Sequence, residues 1–259
     1  MFIFYYHCNS LISEHSISSW QIIALSGIAG LIIGLSKSGI KGIAMLAVAL
    51  LALAYEAKAS TGILLPILIG ADIFAVIYYH RHADWGHLAR LIPWMAAGVL
   101  VGVWIGADLP EKIFKQGMAG VILFSVVFMF WWDRSSKHVP KSPVFAPVMG
   151  LAAGFATMVG NLAGAFSNIY FLAMRLPKNQ FIATAAWLFF IINLFKLPFH
   201  IWVWGTITWE SGLISLKIFP AVIVGFMIGV RLVRLIKDDG YRRMILLLTA
   251  LGAVAIFLR

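Results

Sequence analysis

Gly34-Leu35-Ser36-Lys37-Ser38-Gly39-Ile40-Lys41-Gly42 interrupts an apolar run from Trp20 to Tyr55, and Gly160-Asn161-Leu162-Ala163-Gly164 interrupts a second one from Pro147 to Met174. The arms of the second run, Pro147 to Met158 and Ala165 to Met174, reach only about 15 to 18 Å as helices. A hydrocarbon core is about 30 Å thick, so neither arm spans it alone. Each region is therefore either one long helix broken in the middle or a hairpin of two short helices whose tip lies at membrane depth. Irregular backbone at that depth is tolerated only where protein buries it or where it lines a polar cavity. The two breaks are thus the first places to look for function.

The rest of the chain supports a bilayer as its solvent. Of 259 residues, 62% are hydrophobic and 12% charged, against about half and a quarter in soluble domains. Six continuous apolar stretches of crossing length run from Thr61 to Tyr79, Leu88 to Ala107, Ile113 to Trp132, Phe181 to Phe199, Leu213 to Leu235 and Arg243 to Leu258. The expected fold is an all-α polytopic membrane protein. Residues 1–19 lack the basic start of a signal peptide and read as a short extramembrane tail. Cys8 is the single cysteine, which leaves no disulfide framework or thiolate metal cluster. The net charge of +10 is dispersed between apolar runs, unlike the basic stripe that nucleic acid requires. Trp20, Trp85, Trp94, Trp131, Trp132, Trp202, Trp204 and Trp209 lie near segment ends, where an interfacial aromatic belt is expected.

Sliding the chain by 127 residues exposes a repeat. Arg90-x2-Pro93-x4-Gly98-x3-Gly102-Val103 falls on Lys217-x2-Pro220-x4-Gly225-x3-Gly229-Val230, and Phe114-Lys115 falls on Tyr241-Arg242. The glycine spacing suits close helix contact. With an interrupted region opening each half, the units are 20–132 and 146–259, joined by a basic linker, 133–145. Loop charge chooses between the two readings of the interrupted regions, because cytoplasmic loops are rich in Lys and Arg. If each region is a hairpin, the face carrying Arg81, Arg134, Lys178 and Lys237 collects twelve basic residues against five opposite; if each is one crossing, the split is ten against seven. The hairpin reading is preferred. It makes the repeats inverted and places both termini outside the cytoplasm.

Inverted repeats whose broken helices meet near the midplane are a recurring design of secondary transporters, with helix N-termini aimed at anionic groups. The first tip offers Ser36, Lys37, Ser38, Gly39 and Lys41, and the second offers Gly160, Asn161 and Gly164 as neutral donors. These residues are the expected anion site. An ordinary extramembrane loop is the plainer alternative for Lys37 and Lys41. Asp72 is the acidic residue well inside a continuous span, and such residues are expensive in lipid. It is either a proton acceptor, with protons as coupling ion, or a counter-ion to Lys37 or Lys41. Asn193 follows Asn179 by 14 residues as Asp72 follows Lys58, so it is the matching position in the second repeat. Lys196 is expected to snorkel to the interface beside Pro198. His80, His82 and His87 cluster without the spacing of a metal site. With no catalytic triad or phosphate-binding loop visible, no enzyme, metal or cofactor is expected. A membrane enzyme acting on lipid phosphates and a scaffold subunit are the alternatives to a transporter.

On these features (two homologous halves, a glycine-bearing interrupted segment opening each, a Pro-x4-Gly-x3-Gly helix in each) the chain resembles the TauE/SafE sulfite exporter family over nearly its whole length. Where the family usually has consecutive glycines, this sequence has Gly34 to Gly42 with Lys37 and Lys41 among them. The resemblance implies transport of small sulfur-containing or organic anions, such as sulfite, thiosulfate or sulfonates, across a bacterial inner membrane.

Overall fold

A computed structural model describes residues 18–135 and 142–237, together with 240, 241, 244, 245 and 248. The terminal tail, most of the basic linker and most of the span expected at Arg243 to Leu258 lie outside the described residues. Among those described, all regular structure is helical: α1 (Ser19–Lys37), α2 (Ala44–Ala54), α3 (Ala57–Tyr79), α4 (Trp85–Gly106), α5 (Glu111–Ser135), α6 (Phe145–Gly160), α7 (Ala163–Ala173), α8 (Lys178–Pro198) and α9 (Trp209–Leu235), with a short π turn at Phe199–Val203 after α8. Five segments are long and apolar enough to cross a membrane: Ser19–Lys37, Ala57–His82, Trp85–Gly106, Lys178–Val203 and Trp209–Leu235. The protein is a multi-pass, all-α membrane protein.

Both interrupted regions fold as hairpins. α1 ends at Lys37, and the chain then turns through Gly39 (φ +122°) and Gly42 (φ +100°). These are backbone conformations that side chains with a Cβ rarely adopt. α2 runs back along α1, and Tyr55 at its end meets Ser26 through their hydroxyls at 3.2 Å. In the second hairpin α6 ends at the left-handed Asn161 (φ 56°, ψ 30°), where the Leu162 N–H reaches back to the Ala156 carbonyl, closing the helix end. α7 returns along α6, and the Tyr170 ring stacks on Phe145 at 5.7 Å. The arms are unequal. α1 has 19 residues, about 28 Å of helix, whereas α2 and α7 have 11 each, about 16 Å. α6 also outruns its sequence reading: it covers Phe145–Gly160, so Gly160 is the last helical residue and the break shrinks to Asn161 and Leu162.

The hairpins exchange partners. α1 packs chiefly on α9, and α6 chiefly on α4. A Cβ on Gly34 would meet the Val222 carbonyl and one on Gly225 the Leu31 carbonyl; likewise Gly154 faces the Met95 carbonyl and Gly98 the Leu151 carbonyl. Gly34, Gly98, Gly154 and Gly225 are thus places where two backbones touch, which any side chain would hold apart, whereas Gly102 and Gly229 receive the Met158 and Ser38 side chains. α3 and α8 pack together between these pairs. Their outer neighbours expose Leu100, Trp104, Leu216, Val224 and Met227, an apolar skin suited to lipid. Trp20, Trp85, Trp202 and Trp209 are exposed, as an aromatic belt requires, but Trp204 is buried and donates its indole N–H to the Val103 carbonyl at 3.1 Å. Trp204 is therefore a packing residue, held inside because that hydrogen bond satisfies its one polar atom.

Candidate functional site

Between the two hairpin tips lies a cavity of about 60 Å³, walled by Ser36, Lys37, Lys41 and Gly42 from one side and by Thr157, Asn161, Leu162 and Gly164 from the other. Phe189 and Asn193 of α8 and Leu68 of α3 complete it. The first residues of α2 (Ala44, Met45) and of α7 (Ala163, Gly164, Ala165) also line it. Two helix N-termini therefore open on one space, each with first-turn N–H groups that lack intrahelical acceptors and a partial positive charge. By the measure in which one water needs about 10–15 Å³, there is room for roughly four waters or one compact oxyanion.

Three lysines sit at this depth, each in a different condition. Lys37 donates to Asp72 Oδ1 at 2.6 Å, and Asp72 Oδ2 accepts from Asn193 Nδ2 at 2.7 Å. Asp72 is fully buried; its two oxygens are held by one residue from each half of the chain. Lys41 is 2% exposed, and among the described residues its ammonium has no hydrogen-bond partner. It lies over the Phe189 ring, 5.4 Å from the centroid, while Lys37 Nζ lies 4.7 Å from the same centroid. Cation–π attraction offsets part of the cost of bringing these like charges close, by about 0.5–2 kcal/mol each.

Lys196 corrects the sequence reading. It does not snorkel to the interface: it is fully buried and donates to the Thr157 carbonyl at 2.9 Å, to Thr157 Oγ1 at 3.0 Å and to Asn161 Oδ1 at 2.6 Å. Three acceptors satisfy the three N–H bonds of one ammonium, which is why it stays inside. Asn161 in turn donates to the Thr61 carbonyl at 3.3 Å, so Lys196 and α3 together fix the second tip.

Of the residues expected at the site, Ser36, Lys37, Lys41, Asn161, Gly164 and Asn193 line the cavity, and Asp72 stands directly behind Lys37 and Asn193. Ser38, Gly39 and Gly160 are not brought to it. The Ser38 hydroxyl donates to the Leu35 carbonyl and packs on Gly229. The Ser38 and Gly39 carbonyls accept from the Tyr79 and Tyr241 hydroxyls, each at 2.7 Å. Gly160 faces Met118. Thr157, Asn168, Phe189 and Lys196 were missed. A slide of 120 residues finds part of this set: it places Gly30, Gly34, Lys37 and Lys41 on Gly150, Gly154, Thr157 and Asn161. Among the described residues no three His, Cys, Asp or Glu side chains converge on a metal position; His87 Nδ1 instead lies 2.9 Å from the Tyr170 hydroxyl.

The family model for the sulfite exporter TauE/SafE matches residues 24–256. The chain belongs to that family. TauE/SafE proteins are membrane transporters of sulfite or related anions, and the match spans both hairpins and the helices between them. Neither curated proteins nor solved structures give a match to this chain.

Proposed function

We propose that this protein is a secondary transporter that carries a small anion, a sulfur-containing oxyanion or organosulfonate, across the bacterial inner membrane by alternating access, and that the cavity between the hairpin tips binds it. One observation carries the reading: the buried Lys41 ammonium, which has no hydrogen-bond partner among the described residues, belongs to the lining of a cavity into which two helix N-termini open. A buried charge without a partner is costly, and an anion in the cavity repays that cost. Ser36, Lys37, Lys41, Asn161 and Gly164 are the proposed binding residues, with Asp72 and Asn193 balancing charge.

The reciprocal contacts of α1 with α9 and of α4 with α6 support two related halves, 20–132 and 146–259, and the excess of Lys and Arg on one set of loops supports their inversion, with both termini outside the cytoplasm. Such a pair can rock about the packed α3–α8 core and expose the cavity to either side in turn. The test is flux into proteoliposomes of sulfite, thiosulfate and an alkyl sulfonate, with and without a proton gradient. Saturable uptake of at least one, abolished in Lys41→Gln, is expected; no flux of any of them refutes the assignment. Acceleration by the gradient identifies protons as the coupling ion.

A further inference from the structure

Asp72 is buried behind the cavity wall, and the two groups that hold it, the Lys37 ammonium and the Asn193 amide, both line the cavity. The Lys37 and Lys41 ammonium groups both lie within 5.4 Å of the Phe189 ring centroid and both residues line the one cavity, so an anion bound at Lys41 is attracted by Lys37 as well. The carboxylate and the anion would then share one ammonium, and two negative charges so placed repel each other. Lys196 is arranged differently, because all its acceptors are neutral and belong to the hairpin it anchors. Resting on the reading of this cavity as the anion site, we propose that Asp72 is a tethered stand-in for the substrate: its carboxylate occupies Lys37 in the empty site, yields that ammonium when the anion binds, and drives the anion out when it returns.

Asp72 thereby sets both affinity and release, which a counter-ion that merely neutralises Lys37 does not. The tip itself does not depend on the ion pair, since Tyr79 and Tyr241 hold the Ser38 and Gly39 carbonyls independently. Asp72→Asn keeps the size of the side chain and removes the competitor. In purified full-length protein its sulfite Kd, measured by calorimetry, should fall at least tenfold. In proteoliposomes KM and maximal flux should fall together, because the bound anion no longer has a rival. Asp72→Glu, which still competes, should restore flux. Equal or weaker sulfite binding by a folded Asp72→Asn protein overturns the inference.

Should that variant fail to fold, wild-type protein labelled with 13C-aspartate gives the second readout: addition of sulfite should shift the antisymmetric carboxylate stretch of the buried aspartate, and an unshifted band overturns the inference. The two levels separate cleanly. Wild-type protein that does not bind sulfite, thiosulfate or sulfonate refutes the anion site and this inference with it. Sulfite binding that needs Lys41 but is no tighter in Asp72→Asn refutes this inference alone.

Discussion

Lys41→Met should remove anion affinity without removing stability, and the structure sets the size of each effect. An anion about 4 Å from a buried ammonium gains about 4 kcal/mol at an effective dielectric constant near 20. Lys41 has no competing hydrogen-bond acceptor among the described residues, so little of that gain is offset. Allowing for screening by Lys37 and the two helix N-termini, which remain, the loss is about 2–4 kcal/mol, or roughly 30- to 900-fold in Kd. Stability should move the other way, because methionine fills the same space beside Phe189 without a charge to desolvate. Lys37→Gln is the contrasting case. It strands the buried Asp72 carboxylate without its ion partner, which costs about 3–5 kcal/mol of stability, besides weakening binding. Calorimetry with sulfite and thermal unfolding in one detergent measure both quantities. A Lys41→Met protein that binds sulfite within twofold of wild type, or melts well below it, refutes the reasoning.

Three further outcomes are expected. Gly154→Ala pushes a methyl group into the Met95 carbonyl and should cost about 1–3 kcal/mol, whereas Gly117→Ala meets nothing within 4 Å and should gain up to about 1 kcal/mol of helix propensity; like-signed shifts in melting temperature would contradict the close-packing account. Lys196→Met removes the ammonium that Asn161 Oδ1, Thr157 Oγ1 and the Thr157 carbonyl accept from, so amide exchange at Asn161 to Ala165 should quicken while exchange at Gly39 to Ile43 does not. Uniform behaviour of the two tips would show that Lys196 anchors neither. A cysteine at His82 or at Ser136 should resist an impermeant thiol reagent in intact cells, and strong labelling of either sinks the inverted arrangement.

Much of this architecture was legible because lipid restricts the alternatives. Glycine and lysine in the middle of an apolar run mark a break, and a break at membrane depth has to be sheltered. Hence the breaks were readable from Lys37, Lys41 and Asn161 and the hairpins from loop charge, while Asp72 was legible as an acidic residue at depth whose counter-ion role to Lys37 or Lys41 was one of two readings. Other features were hidden for physical reasons. A lysine two residues before a proline looks the same whether it reaches outward for water or inward for carbonyl groups, and the acceptors of Lys196 lie 35 to 39 residues away on another hairpin. Ser36 and Ser38 differ by two positions in the same glycine-rich turn, yet one lines the cavity and the other packs on Gly229. Only the path of the backbone decides which. Phe189 is one aromatic residue in an apolar helix; its place beside two ammonium groups has no trace in its own segment.

The exchange of partners between the halves has a consequence for how the protein is made. Of the described helices, α1 enters the membrane before the rest, with Gly30 and Gly34 on a face whose mate is α9. That mate, residues 218–229, is synthesised nearly two hundred residues later, about ten seconds or more at the usual pace of translation. During that interval α1 is inserted without its mate, its glycine strip open to lipid. Helices α6 and α4 meet much sooner. The contact of α1 with α9 is therefore the later of the two pairings to close, complete only once the chain has reached Gly229.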